Sequence, residues 1–190
     1  LVREDQAQST MIVMGDIHLA ARNNDANQFA NFINDVNSYM SANSSTKFYG
    51  LTLGDLAWDQ YWIDNKYDLT NYMKDIAKVN TMVFNTIGNH DHEQLAAGDF
   101  STVEVYKKVV CPTYYSFNIG KCHYIVLDNM DYEGIAAGHD NRSKYARNYT
   151  ASQLAWLKKD LEHVDKSTPV FVTSHEPLSS PDGTGWDGEL

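Results

Sequence analysis

A chain of 190 residues, 43% hydrophobic and 12% aromatic, can bury one sizeable core and reads as a single globular domain over residues 1–190. Asp and Glu total 25 against 15 Lys and Arg, a net charge of −10, which argues against nucleic acid and against an anionic membrane surface as partners. No apolar run approaches the roughly 20 residues that span a bilayer.

In chain order, the start Leu1-Val-Arg-Glu-Asp-Gln-Ala-Gln8 lacks a signal-peptide core. It begins with Leu rather than Met, so an upstream segment is expected to have been removed. Met11-Ile-Val-Met14, closed by Gly15, predicts a strand buried on both faces. Asn23, Asn24 and Asp25 are cap candidates for a helix whose apolar face is Ala26, Phe29, Ile33, Val36 and Met40. Phe48 to Leu53 predicts a second strand, and Leu69, Met73, Ile76 and Val79 a second helix. Thr81 to Ile87 predicts a third strand. Strand alternating with helix at these spacings calls for right-handed crossovers and a mainly parallel sheet.

Tyr114 to Ile119, the turn Gly120-Lys121 and Cys122 to Leu127 then predict an antiparallel hairpin. Cys111 would lie far from Cys122 along that ladder, so two free thiols are expected. The stretch from Asp131 to Asn148 reads as a long loop, functional or mobile. Thr150 and Gln153 form a candidate capping box before a helix marked by Leu154, Leu157, Leu161 and Val164, with His163 on the surface of its last turn. Pro169 to Thr173 is the last predicted strand, and His123 reads as a structural strand residue.

Ligand-capable residues follow each of four strands: Asp16 and His18, Gly54-Asp55, Gly88-Asn89-His90-Asp91-His92, and His175-Glu176. Open α/β sheets bind ligands outside the carboxyl ends of their strands, so these loops should converge on one rim. Asp16 and His18, two apart in extended chain, would share a face. Glycines ahead of Asp55 and Asn89 would let backbone approach an ion closely. Carboxylates crowded on one rim need cations, and mixed carboxylate and imidazole donors suit Mn, Fe or Zn. Asp128-Asn129 could also reach the rim. Trp58, Tyr61 and Trp62 read as core or pocket wall, and Arg142, Lys144 and Arg147 as a basic cluster able to recruit an anion.

Asp16-x-His18, Gly54-Asp55, Gly88-Asn89-His90-Asp91 and the later His175, in this order, resemble the calcineurin-like metallophosphoesterase superfamily, and the likeness runs from Asp16 to Glu176. The resemblance implies an α/β sandwich of two mixed β-sheets flanked by helices. It implies hydrolysis of a phosphomonoester or phosphodiester by two transition-metal ions (Mn, Fe or Zn) that share a hydroxide nucleophile. Asp16 and His18 would bind the first ion, Asp55 would bridge, and Asn89 and His175 would bind the second. His90 would be a non-ligand that donates a proton to the leaving group. An acid should support it; Trp58 stands where many relatives carry that acid, leaving Asp59 and Asp91 as rivals. The family's final Gly-His-x-His, expected after His175, is absent from these residues. The chain is therefore expected to be a C-terminally incomplete piece, weakly active or inactive, or a catalytically impaired binding module. Its shortened sheet would invite homodimerisation. The missing Met and the likeness to bacterial proteins favour an exported, periplasmic protein over a cytoplasmic one.

Overall fold

In the computed structural model, residues 9–19, 24–58, 67–96, 98–135 and 143–177 are described. Strands β1 (Ser9–Met14), β2 (Lys47–Thr52) and β3 (Val83–Phe84) form a parallel sheet in that order. Helix α1 (Asp25–Ala42) connects β1 to β2, and α2 (Leu69–Ile76) precedes β3. The short helices α3 (Asp99–Thr102) and α4 (Glu104–Val109) lead to β4 (Tyr115–Ile119) and β5 (Cys122–Val126). That pair is antiparallel, as the hairpin reading expects, and β8 (Val170–Thr173) joins it parallel to β5. Between them lie an antiparallel ribbon, β6 (Met130–Ile135) and β7 (Ser143–Arg147), and helix α5 (Ala151–Leu161).

Alternation along the strands sorts the core into layers. Phe48 of β2 faces the cluster built with Phe29, Ile33, Leu69, Tyr72 and Ile76 of α1 and α2. Its neighbours Tyr49 and Leu51 face the other way, onto Phe117, Ile119 and Val126 of the second sheet. Ile125 and Leu127 point outward again, under Leu154, Trp156 and Leu157 of α5. The result is helices, parallel sheet, mixed sheet, helix. Phe84 stacks on Phe117 across the sheet interface, centroids 3.5 Å apart. This is the two-sheet sandwich expected, with the first sheet wholly parallel and the β6–β7 ribbon added.

Several local expectations are corrected. The third strand is two residues long, because Thr52 Oγ1 accepts the Thr86 backbone N–H at 3.1 Å and so replaces the ladder where β3 would continue. Asn85 instead accepts the Tyr72 hydroxyl at 2.6 Å. Ala26 is exposed while Asp25, at the positive end of α1, takes the buried place. The Asn24 side chain caps no backbone N–H of α1; its Oδ1 accepts from the Asn27 side-chain amide instead. Much of the expected 131–148 loop is the β6–β7 ribbon. Thr150 caps α5 by accepting the Gln153 N–H at 3.3 Å, but the reciprocal half of the capping box is missing. The Gln153 amide spans Asp128 instead, accepting its N–H and donating to its carbonyl. His163 lies just past α5, exposed. Cys111 and Cys122 are free thiols, and among the described residues no helix is long and apolar enough to cross a membrane.

Candidate metal centre

The rim past the parallel strands gathers most of the predicted donors around one atom, Asp55 Oδ2. His18 Nε2 lies 2.7 Å from it, His175 Nε2 3.3 Å and His90 Nε2 3.7 Å. Asp16 Oδ1 is 4.0 Å from His18 Nε2, and Asn89 Oδ1 is 3.0 Å from His175 Nε2. Two sets of donor atoms come within 4.8 Å of one another: His18, Asp55 and His90, and Asp16, Asp55 and His175. Asp55 belongs to both sets, and they group Asp16 with His175 and His18 with His90 rather than Asp16 with His18. The first set also makes His90 a candidate ligand, a rival to its reading as proton donor. Asp59 lies outside the described residues.

The backbone reaches this arrangement through turns rather than extended chain. Asp16 (φ 48°), His18 (φ 47°) and Asp55 (φ 56°) are all left-handed, a conformation that costs a non-glycine residue about 1–3 kcal/mol and gathers at functional sites. Asp16 and His18 therefore converge because the turn folds both back to the rim, not through the strand alternation expected. Gly54 is also left-handed (φ 92°), whereas Gly88 is not and serves only close approach. A Cβ on Gly88 would strike Asp55 at its backbone N and Oδ1. Between the first two loops, His18 N–H donates to Asp55 O at 2.8 Å and Leu19 bridges Ala57.

The third loop turns through a short 3-10 segment, Asn89–Asp91, which separates neighbours in sequence. His90 N–H donates to Asp55 Oδ1 at 3.0 Å, while the Asp91 side chain turns into the protein. Asp91 Oδ1 accepts Leu56 N–H at 2.9 Å and Ala57 N–H at 3.3 Å, and Oδ2 accepts Gly88 N–H at 2.9 Å. Its carboxylate thus ties the Asn89 loop to the Asp55 loop through backbone, a role the residue type alone did not reveal. His92 is buried, with Nδ1 3.0 Å from Thr102 Oγ1. Burial pushes its pKa down to about 3.

His175 is oriented from behind. Its Nδ1 donates to Leu53 O at 2.7 Å, since a carbonyl can only accept, and this aims Nε2 at Asp55 and Asn89. The loop carrying it is clamped by Asn129, whose amide donates to Glu176 O at 2.9 Å and accepts Glu176 N–H at 3.2 Å. So Asn129 does reach the rim, as a support. Of the basic cluster, Arg147 pairs with Glu176 at 3.1 Å; Arg142 and the Lys144 side chain lie outside the described residues.

The donors themselves fit metal ions. One carboxylate oxygen cannot accept from three imidazoles in good geometry, yet three converge on Asp55 Oδ2, where a cation would use the same lone pairs. Burial pushes Asp55 up, but hydrogen bonds from His175 and His18 outweigh it and hold the carboxyl well below its usual range. Burial likewise pushes His175 down, and the Asp55 carboxylate outweighs that, raising it to about 9. The pair already couples a carboxylate to a positive charge, a proton that a metal would displace.

A two-sheet α/β sandwich with a carboxylate and imidazole cluster at its strand ends defines a metallohydrolase-type scaffold. The chain belongs to the calcineurin-like phosphoesterase family, whose family model matches residues 9–189. It is 34% identical over 131 residues to purple acid phosphatase 15 of Arabidopsis thaliana, an alignment covering 63% of this chain. The match spans a fifth (20%) of that relative's length. Its fold resembles a dimetal phosphatase from Danio rerio, with a TM-score of 0.66 at 14% identity, covering 94% of this chain and 74% of the other.

Proposed function

We infer that this chain is a single hydrolytic domain that cleaves phosphoester bonds at the Asp55 rim, with two transition-metal ions as cofactors. The observation that carries the reading is the convergence of His18, His90 and His175 on Asp55 Oδ2, in a chain of this family. Asp16 and His18 serve one ion, Asn89 and His175 the other, and Asp55 both. When bound, the ions supply charge to polarise the phosphoryl group and to lower the pKa of water from 15.7 to about 7. The protein's part is positional. Leu53 O fixes the His175 tautomer, Asp91 fixes the amides beside Asp55, and Asn129 fixes the His175 loop. His90 stands beside this cluster and donates a proton to the leaving oxygen, worth roughly 10²–10⁴-fold in rate.

Both p-nitrophenyl phosphate and bis(p-nitrophenyl) phosphate with Mn²⁺ test the activity, and their ratio tests monoester against diester preference. Asp55→Asn should lose both ions together. His90→Ala should keep them and lose rate; if it sheds metal, His90 is a ligand and the proton-donor assignment is wrong. A second reading, a metal-binding module with impaired turnover, is favoured by Asp16, whose side chain is 68% exposed and so is a loosely held donor. Bound metal without turnover on either ester would decide for it.

A further inference from the structure

We propose that Tyr72 and Tyr115 are positioning residues. Their hydroxyls hold Asn85 at the base of the third rim loop and so fix the place of Asn89 in the metal centre. This rests on the two-ion reading of the Asp55 rim. Asn85 follows β3 directly, beside Thr52 at the end of β2. Its side-chain Oδ1 accepts the Tyr72 hydroxyl at 2.6 Å and Thr52 Oγ1 at 3.4 Å. Its backbone O accepts the Tyr115 hydroxyl at 2.8 Å and the Cys111 thiol at 3.6 Å. Tyr72 belongs to α2 and the helix layer, Tyr115 to β4 and the second sheet. Asn85 is thus gripped from both faces of the parallel sheet.

The need for such an anchor follows from where the ladder stops. Strand pairing ends at Phe84, five residues before Asn89. The bonds further along tie rim loops to one another: Asp91 to Leu56 and Ala57, and His90 N–H to Asp55 Oδ1. Loops joined only in that way could shift together. The two tyrosine hydroxyls reach in from elements outside the rim and give the third loop a fixed origin. Tyr72 is fully buried, so packing around its flat ring sets where the hydroxyl stands. A metal constellation has to be held to within about 0.5 Å. Asn85, at 6% exposure, would have to move to find another donor for its Oδ1 if that hydroxyl were lost.

The test compares Tyr72→Phe, Tyr115→Phe, Asn85→Ala and the Tyr72→Phe/Asn85→Ala double variant with the parent chain. Mn²⁺ binding is followed by the electron paramagnetic resonance of the free ion, with Asn89→Ala marking the step that uses Asn89. Each Tyr→Phe change removes a single oxygen and keeps the ring. Each should weaken the Asn89-dependent step about 3- to 10-fold, roughly the worth of one hydrogen bond, and leave the other step alone. On p-nitrophenyl phosphate at subsaturating Mn²⁺ the rate should fall in proportion. In the Asn85→Ala background Tyr72→Phe should add nothing, since its acceptor is already gone. Ser116→Ala, which takes a hydroxyl from Asp160 on α5, should lose stability in urea and keep both steps. Tyrosine variants that behave like Ser116→Ala, or an equal further loss in the Asn85→Ala background, overturn the proposal. A second readout needs no metal. In EDTA, amide exchange should rise at Gly88 and His90 by more than at His123 and Leu127, whose N–H groups bond Pro169 O and Thr173 O. Equal rises at all four overturn the anchoring. If exchange behaves as expected but the parent chain binds no Mn²⁺, the two-ion reading fails and takes the metal claim with it. If the parent binds two Mn²⁺ and neither tyrosine variant alters a step, the tyrosines alone have been misassigned.

Discussion

Gly54→Ala is a small change placed where three of the rim loops meet. A Cβ there would lie 2.6 Å from His175 Nδ1 and 2.9 Å from both N and Cα of Gly88, whereas ordinary contact begins at 3.4 Å. The His175 ring must therefore retreat by about 0.8 Å, the difference between 3.4 and 2.6 Å, a displacement on the scale that costs up to roughly 10²-fold in rate. Its Nδ1 is committed to Leu53 O at 2.7 Å, and that bond cannot stretch so far and survive. Gly88 must give by about half an ångström on the other side, away from Asp55. Alanine at φ 92° adds about 1–3 kcal/mol of backbone strain, and overpacking costs about 1–3 kcal/mol more.

The expected outcome is a stability loss of about 2–6 kcal/mol in urea together with weaker Mn²⁺ binding and a rate reduced roughly 100-fold. Gly98→Ala separates strain from crowding. Gly98 has nearly the same φ of 89°, but among the described residues its Cβ would meet only Ser101 Oγ, at 4.0 Å. That variant should lose stability yet keep metal affinity and rate. Gly54→Ala with wild-type metal binding and turnover would refute the claim that the rim is held to sub-ångström tolerance by loop contact.

Further outcomes are expected elsewhere. In EDTA, the proton on His175 stabilises the fold: its folded pKa of about 9 lies above the ordinary 6.5, so the stability is complete below 6.5 and is lost as pH rises through 9. At 1.36 kcal/mol per unit this amounts to about 3 kcal/mol, of which about 2 kcal/mol should vanish between pH 7.5 and 9.5; urea melts that give the same slope for His175→Gln would contradict it. Asp160 accepts from Ser116 Oγ and pairs with His123 Nε2, each at 2.7 Å, and so joins α5 to the β4–β5 hairpin. Asp160→Ala should cost about 2–3 kcal/mol by leaving both groups short of a partner, with metal content unchanged by elemental analysis. The outer edge of β8 carries Val170, Phe171 and Val172, 40%, 50% and 41% exposed, and β8 pairs only with β5 among the described strands. Self-association through that edge should show in light scattering and weaken in Phe171→Lys; a monodisperse monomer at high concentration would remove that surface from consideration.

What the sequence disclosed and what it hid divide along a physical line. Periodicity is local, so α1, α2, α5, β1, β2 and the β4–β5 hairpin were legible from side-chain spacing. The gathering of Asp16, His18, Asp55 and Asn89 was legible too, because parallel strands oblige their following loops to share an edge; His175 follows β8 of the second sheet and meets them only once the two sheets pack. Orientation inside those loops was not. Nothing in Asp16-Ile-His18 announces two left-handed residues, since only glycine signals that conformation and non-glycine residues adopt it under tertiary constraint. The shortening of β3 depends on Thr52 and Asn85, which are 33 residues apart and interact only once the sheet exists. Asp91 makes the distinction sharpest. Next to His90 in sequence it invites a role as that histidine's acid, but one turn of 3-10 helix sends the imidazole toward Asp55 and the carboxylate toward three backbone N–H groups. Burial raises its pKa to about 7, with the Asp55 charge adding, while those three amides favour the ionised form. A residue type states what chemistry a side chain can do, and only the turn it occupies decides toward which partner.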